Sequence, residues 1–185
     1  PSLVHQQWKS RQERRSTSLS STSTHDTKRS EDVRARLNVL SEIPKQWKDH
    51  VTRWQKISQK LKMKSGGEPA PGRNDEYLLY QTLLGVWPLE GMDEGGYIEF
   101  VGRIQAYMNK AVKEAKEHSS WISPNAEYED ATKQYVARLL DRSMPNAFLD
   151  DPLSRICCSI RALQFLVAST GEDGGAWCAG LLSGN

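Results

Sequence analysis

The residues of this chain best suited to chemistry lie in one short stretch near its beginning. Six ionisable side chains occur within eight positions: His25, Asp26, Lys28, Arg29, Glu31 and Asp32. Before them, residues 17–24 are seven Ser or Thr and one Leu, a short uncharged run that predicts a β-strand. After them, apolar residues at helical spacing predict a helix: Val33, Leu37 and Leu40. In barrels and open α/β sheets the carboxyl ends of strands carry the active site, so residues 25–29 occupy the position where chemistry is found in such folds.

The elements that must hold this stretch are predicted to be helices. Apolar stripes indicate a helix from Pro44 to about Leu61, one beginning at a capping Asn74 and ending near Gly85, one from Tyr97 to His118, and one opened by Ser123 and Pro124. A further helix is predicted over 153–168, and residues 65–73 are predicted to be a loop. Residues 6–15 fit the last turns of a helix packed by Trp8. The chain as it stands is therefore predicted to be mainly α.

An isolated strand at 17–24 would leave its backbone donors and acceptors unpaired on both edges. Either the run is exposed on a helical cluster, or it belongs to a sheet supplied elsewhere. Trp47 and Trp54 lie on the same side of a predicted helix. They fit a packed core better than a sugar-stacking platform, because aliphatic residues lie on that side of the helix as well.

The composition excludes several function classes. The 185 residues carry a net charge of +2, 37% are hydrophobic, 26% are charged, and the mean hydropathy is −0.66. No apolar run is long enough for a membrane span, and the basic run from Lys9 to Arg15 fits a solvated helix face better than a phosphate site. Three cysteines without metal-ligand spacing, Cys157, Cys158 and Cys178, fit a reducing cytoplasm. The chain begins with Pro1 and without an apolar signal region, which indicates an internal piece of something longer.

Four separate stretches, in order, resemble one enzyme family. They are Ser23–Pro44, Asn74–Gly85, Arg103–Met108, and Glu114–His118 continued through Trp121–Asn125 to Tyr128. Together they are similar to the maltooligosyl trehalose synthase family of the α-amylase superfamily (glycoside hydrolase family 13), in register from about Gln7 to Phe165. Members isomerise the reducing-end α-1,4 bond of a maltooligosaccharide into the α,α-1,1 bond of trehalose. The resemblance implies no cofactor and no metal, and no nucleic-acid or membrane partner.

The resemblance also implies an architecture and a division into domains. The fold would be a fragment of a (β/α)₈ barrel, with residues 1–43 forming the seventh-strand region and its flanking helices. Residues 44–145 would be a helical insertion after that strand, and 146–168 a barrel-associated helix. The tail, 169–185, departs from the family pattern. We expect it to be a disordered product of a shifted or truncated reading frame, which sequencing of the gene would test.

From the residues alone, His25 and Asp26 fit a structural turn pair better than a site; the resemblance reverses this interpretation. It implies that Asp26 is the acid that stabilises an oxocarbenium-like transition state and that His25 hydrogen-bonds the same sugar. Lys28 would be a further, weaker substrate contact, and Arg29 another, although ion pairing at a helix end suits Arg29 and Asp32 better. The nucleophile and acid/base carboxylates have no counterpart here, so the chain alone is expected to be inactive. The alternatives are a non-catalytic helical interaction module, which composition alone would allow, and another glucan hydrolase of the superfamily.

Overall fold

The computed structural model describes residues 2–17, 21, 23–24, 27–88 and 91–150. The chain divides into two compact units, Pro1–Glu31 and Asp32–Asn185. The described part is mainly helical, as predicted, and contains one two-stranded sheet. The predicted helix at 153–168, the three cysteines and the predicted disordered tail lie outside the described residues.

The first unit contains helix α1, Ser2–Arg14, none of whose residues is buried. The prediction that Trp8 packs this helix is wrong, because its side chain is 66% exposed. The strand predicted at 17–24 is not found at its described positions. Thr17 lies in a turn, and Ser21, Ser23 and Thr24 have no strand pairing. A strand needs a neighbour to satisfy its backbone, and the described residues of this unit offer none.

The second unit holds the remaining elements, with α2 beginning one residue before its boundary. Helices α2 (Glu31–Asn38) and α3 (Pro44–Ser58) each continue into a short 3₁₀ turn. Next come strands β1 (Met63–Ser65) and β2 (Glu68–Ala70), and then the longer helices. These helices are α4 (Arg73–Val86), α5 (Glu94–Ala115), α6 (Ala126–Leu139) and the short α7 (Ala147–Asp150). None of the helices in these ranges is long and apolar enough to cross a membrane.

Several of the predicted helix boundaries moved, and the move at the start of α5 has a local cause. Helix α4 begins after Gly72 rather than after Asn74, which lies in its first turn. Helix α5 begins three residues earlier than predicted, because the side chain of Asp93 accepts a hydrogen bond from the Gly96 N–H at 2.7 Å. Such a capping side chain satisfies a backbone donor that has no partner inside the helix. Pro44 starts α3 as predicted.

The prediction of a loop at 65–73 is wrong in part, because a β-hairpin forms there. Strands β1 and β2 pair antiparallel, with Met63 opposite Ala70 and Ser65 opposite Glu68. Gly66 and Gly67 connect them with φ angles of 57° and 90°, in the region that favours glycine. The glycine-rich sequence was therefore a turn signal between two strands of only three residues each.

The core of the second unit is built around Trp54, which is fully buried. Its ring centroid lies 5.6 Å from Trp47, 5.3 Å from Tyr80 and 5.4 Å from Phe148. Side chains from α4, α5 and α6 complete this core, including Leu79, Leu83, Phe100, Ile104, Met108, Val136 and Leu139. The prediction that the two tryptophans are core residues is confirmed.

Helix α2 is attached to the C-terminal end of α4. A Cβ atom at Gly85 would lie 2.6 Å from a methyl carbon of Val33, so only glycine permits this close approach. The Arg36 guanidinium donates to the carbonyls of Gly85 and Trp87 at 3.1 and 3.0 Å. A cation at a helix C-terminus complements the carbonyls left without partners there.

Candidate functional site

Of the four residues predicted to form the site, His25 and Asp26 lie outside the described residues. The two threonines on either side of them in sequence are hydrogen-bonded to each other. The Thr27 N–H donates to the Thr24 carbonyl at 3.0 Å, and the Thr24 N–H donates to the Thr27 hydroxyl at 2.8 Å. Thr24 and Thr27 therefore lie in direct contact.

The other two predicted site residues, Lys28 and Arg29, lie in a bend just before α2. The Lys28 side chain is exposed, whereas Arg29 is half-buried. The Nη2 atom of Arg29 is buried and has no hydrogen-bond partner among the described residues. A guanidinium offers five donors in a fixed plane, and this one is unused within the described structure. The structure places these two residues side by side in the chain, in the first compact unit.

A second polar cluster, which sequence reasoning missed, surrounds the Glu76 carboxylate in the core of the second unit. Glu76 is 2% exposed. Its Oε1 atom accepts hydrogen bonds from Ser58, Tyr80 and Tyr135 at 3.0, 2.8 and 2.8 Å. Its Oε2 atom pairs with the Lys62 ammonium at 2.9 Å. Four donors thus offset the cost of removing this charge from water.

Burial raises the pKa of the Tyr80 and Tyr135 hydroxyls well above their ordinary value, and the nearby Glu76 charge adds to the shift. Both phenols therefore remain protonated donors to the carboxylate. With every oxygen of Glu76 occupied by a protein donor, this cluster joins α3, α4 and α6. It acts as a structural anchor rather than as a reactive acid.

A third cluster, around Tyr128, joins α4 to α6. The Tyr128 hydroxyl donates to Asp75 at 2.6 Å and accepts from the Gly72 N–H at 2.7 Å. The ring of His118 stacks on Tyr128 with centroids 4.4 Å apart. A Cβ at Gly72 would lie 3.1 Å from the His118 ring and 3.3 Å from the Tyr128 hydroxyl, so the backbone passes close to both. Burial, followed by the hydrogen bond to Asp75, raises the pKa of Tyr128.

These two clusters connect sequence stretches that are far apart. Asp75 and Glu76 lie in the first turn of α4, and Tyr80, Tyr128 and Tyr135 lie on the inward sides of α4 and α6. The tyrosines bond to these two acids. The available signal was the combination of adjacent acids with tyrosines on inward-facing stripes, since a buried hydroxyl requires a partner.

A fourth cluster holds the loop between α5 and α6. Ser119 donates to Glu129 and accepts from the Asn125 N–H at 2.9 Å. Glu129 also pairs with Lys113 at 2.9 Å, and the Lys113 ammonium lies 4.9 Å from the ring centroid of Trp121. The Ser119 hydrogen bond, with a contribution from Lys113, lowers the pKa of Glu129. The loop is therefore tied to both flanking helices.

No cluster of three or more His, Cys, Asp or Glu side chains able to hold a metal ion occurs within the described ranges.

Comparison with known proteins gives consistent results. No family model matches the chain. Proteins named "Putative maltooligosyl trehalose synthase", from two strains of Mycobacterium tuberculosis, are 38% identical over 124 residues, or 67% of this chain and 14% of theirs. A crystal structure of a maltooligosyl trehalose synthase is 35% identical, with a TM-score of 0.61 over 80% of this chain and 18% of the solved one. The maltooligosyltrehalose synthase from Arthrobacter ramosus is 27% identical, with a TM-score of 0.61 over 89% of this chain and 18% of its own.

The chain spans about one seventh of the length of the curated relatives it matches. The sequence comparison and the structure comparison both match this chain to maltooligosyl trehalose synthases, at identities high enough to indicate common descent. By both measures, this chain is homologous to a segment of the maltooligosyl trehalose synthases.

Proposed function

We propose that this chain is a segment of a (1→4)-α-D-glucan 1-α-D-glucosylmutase. The whole enzyme would convert the reducing-end α-1,4 bond of a maltooligosaccharide into the α,α-1,1 bond of maltooligosyl trehalose. The observation that carries the proposal is the 38% identity over 124 residues to proteins named "Putative maltooligosyl trehalose synthase". The helical arrangement shared with solved synthases, at TM-scores near 0.6, supports it. The proposed compartment is the cytoplasm, and the proposed ligand is an α-1,4-glucan.

The parent fold is proposed to be a (β/α)₈ barrel, with residues 17–24 at its seventh strand and residues 44–145 as the insertion after it. In the described part of this chain, residues 17–24 have no neighbouring strand to pair with. A barrel would supply one on each side and satisfy the backbone groups. Residues 25–29 would then lie at the carboxyl end of a strand, where barrel enzymes carry their sites.

Asp26 is the proposed stabiliser of the oxocarbenium-like transition state, and His25 would hydrogen-bond the same sugar ring. Lys28 and Arg29 are proposed substrate contacts, and the buried, unused Nη2 donor of Arg29 supports that role for Arg29. The double displacement itself needs two further carboxylates, about 5–5.5 Å apart. In the described part of the second unit, Asp75 and Glu76 are occupied by tyrosine and lysine donors and do not fit those roles. The isolated chain is therefore proposed to have no turnover.

An assay of the purified chain on maltopentaose tests the inactivity directly. Reducing ends and free glucose are both measured, and neither should change. A clear loss of reducing ends would show that carboxylates within these 185 residues are enough for the reaction. It would overturn the proposal that the chain lacks the nucleophile and the acid/base.

A chimaera tests the proposed activity. The segment of the Arthrobacter ramosus synthase that aligns with this chain is replaced by residues 7–150, and the product is assayed on maltopentaose. We expect loss of reducing ends without release of glucose. We also expect that Asp26→Asn abolishes this activity. Release of glucose instead would indicate a hydrolase. A folded chimaera without activity would favour the helical interaction module.

A further inference from the structure

The loop between α5 and α6 presents a large aromatic side chain to solvent. The structure describes five tryptophans, and only Trp8 and Trp121 among them are exposed, at 66% and 61%. Trp121 is followed by Ile122, which is 95% exposed. Two adjacent large apolar side chains in solvent cost free energy unless a ligand or partner covers them at some stage.

Trp121 and Ile122 lie at the tip of a tight turn between Ser120 and Ser123. The Ser120 N–H donates to the Ser123 carbonyl at 3.1 Å, and the Ser123 N–H donates back to the Ser120 hydroxyl at 2.9 Å. Turn tips favour Gly, Asn, Asp, Ser and Pro, each for a conformational reason. A Trp-Ile pair has no such reason to be there, so its function must lie in what the side chains contact.

The indole ring is also held in place. The Lys113 ammonium lies over one side of the ring, 4.9 Å from its centroid, and Glu129 holds that ammonium at 2.9 Å. Ser119, 5% exposed, fixes the base of the loop through Glu129 and the Asn125 N–H. A ring that is already oriented loses little conformational entropy when it binds a ligand. Trp8, equally exposed, has only an edge contact with His5 at 6.2 Å.

The surroundings of the ring favour a neutral, polyhydroxylated ligand. The negative face of an aromatic ring attracts the weakly positive C–H groups of a pyranose. Beside it lie the Lys113 ammonium, which Glu129 holds, and the Ser120 hydroxyl in the same turn; polar groups of this kind are partners for sugar hydroxyls. These charges are of mixed sign and the net charge of the chain is only +2, which argues against a nucleic acid.

We propose that Trp121 is an aromatic platform for a glucose unit of an α-1,4-glucan. Its ligand class rests on the proposed function. Lys113 and Glu129 act as positioning residues that orient the ring, and the turn between Ser120 and Ser123 presents it to solvent. The platform binds substrate and takes no part in bond exchange.

Titration of the whole chain with maltopentaose, followed by saturation-transfer NMR and tryptophan fluorescence, tests the platform. Trp121→Ala should weaken millimolar binding by about tenfold, as expected for the loss of one aromatic contact. Trp121→Phe keeps an aromatic face and should retain most of the affinity. Trp8→Ala is the matched control for an exposed tryptophan and should bind as the unchanged chain does. Circular dichroism of each variant verifies that the helices remain folded.

The outcomes separate this inference from the proposed function. Binding that survives Asp26→Asn and is lost in Trp121→Ala supports the platform. Binding that is lost in Asp26→Asn and unchanged in Trp121→Ala overturns the platform and leaves the proposed function standing. Absence of maltopentaose binding by the unchanged chain also overturns the platform, while the activity of the chimaera decides the proposed function independently. A further outcome is that sedimentation detects a dimer of the unchanged chain that Trp121→Ala dissociates. That result would show that the loop tip binds a second copy of the chain, and it would overturn the platform.

Discussion

Helices α1 and α6 have nearly the same length, 13 and 14 residues, but α1 buries no side chain and α6 buries six. The inward side of α6 includes Tyr128 and Tyr135, whose hydroxyls bond to the acids of α4. A helix of this length is only marginally stable by itself in water, so most of its stability in a protein comes from packing. The comparison shows that the second unit has its own core, whereas α1 in the described structure derives none of its stability from buried side chains.

The two regions also use their charged groups differently. In the second unit, the buried Glu76 has a protein donor on each oxygen and the buried Asp75 accepts from Tyr128, so both acids stabilise one arrangement of helices. In the first unit, Arg29 keeps a donor without a partner among the described residues. This difference supports the substrate contact proposed for Arg29 and argues against such a role for the core acids.

Replacement of the central core tryptophan should have the largest effect on stability. Trp54→Ala removes a ring that packs on three other aromatic side chains and should lower the free energy of unfolding by about 3–5 kcal/mol. Trp8→Ala, in the region without buried side chains, should change it by less than about 0.5 kcal/mol. Urea unfolding followed by circular dichroism measures both. Equal effects of the two substitutions would contradict the contrast between the two units.

Replacement of the buried acid Glu76 should have the second largest effect on stability. Glu76→Ala leaves the Lys62 ammonium, which is 11% exposed, without its partner, and three hydroxyls without their acceptor. Breaking a buried pair from one side should destabilise the second unit by about 3 kcal/mol. Glu99→Ala, at an exposed position of α5, is the matched control and should be close to neutral. A neutral Glu76→Ala in the same urea experiment would show that the cluster does not anchor the helices.

Removal of one buried hydroxyl tests the joint between α4 and α6. Tyr128→Phe leaves the Gly72 N–H without its acceptor and Asp75 without its donor, which should cost about 1–2 kcal/mol. Tyr107→Phe is the control, because the Tyr107 hydroxyl makes no hydrogen bond within the described ranges. Hydrogen exchange of the α4 and α6 amides should accelerate in the first variant only. Unchanged hydrogen exchange in Tyr128→Phe would show that the Tyr128 hydroxyl does not stabilise the contact between α4 and α6.

The smallest effect should be a pH dependence at the loop between α5 and α6. The pKa of Glu129 is lowered in the folded chain from an ordinary value of 4.5, because Ser119 and Lys113 favour its charged form. A group with a lowered folded pKa contributes stability above its unfolded pKa and loses it as the pH falls through the folded value. Glu129→Gln should therefore be less stable than the unchanged chain at pH 7, and the gap should shrink below pH 4.5. Urea midpoints at several pH values measure this gap, and a gap independent of pH would contradict the prediction.

The helices and most of their inward-facing residues could be predicted from the sequence. Pro44 marked the start of α3, and the spacing of Tyr128, Ala131, Tyr135 and Leu139 marked the buried side of α6, because periodicity reports burial directly. Prediction failed where the signal was short or depended on a partner. The two strands of the hairpin have three residues each, and the strand expected at 17–24 has no neighbour in the described structure to pair with.

The sequence by itself determined the resemblance to one family, through motifs that stand in order along the chain, and the helical periodicity of most of the elements. Only the tertiary structure decided that Asp75 and Glu76, which look like ordinary helix-end acids, are buried partners of Tyr128, Tyr80 and Tyr135. It also decided that Trp121 is exposed. The reason is physical: local patterns report the preferences of one element, whereas burial and the choice of hydrogen-bond partners depend on how several elements pack together.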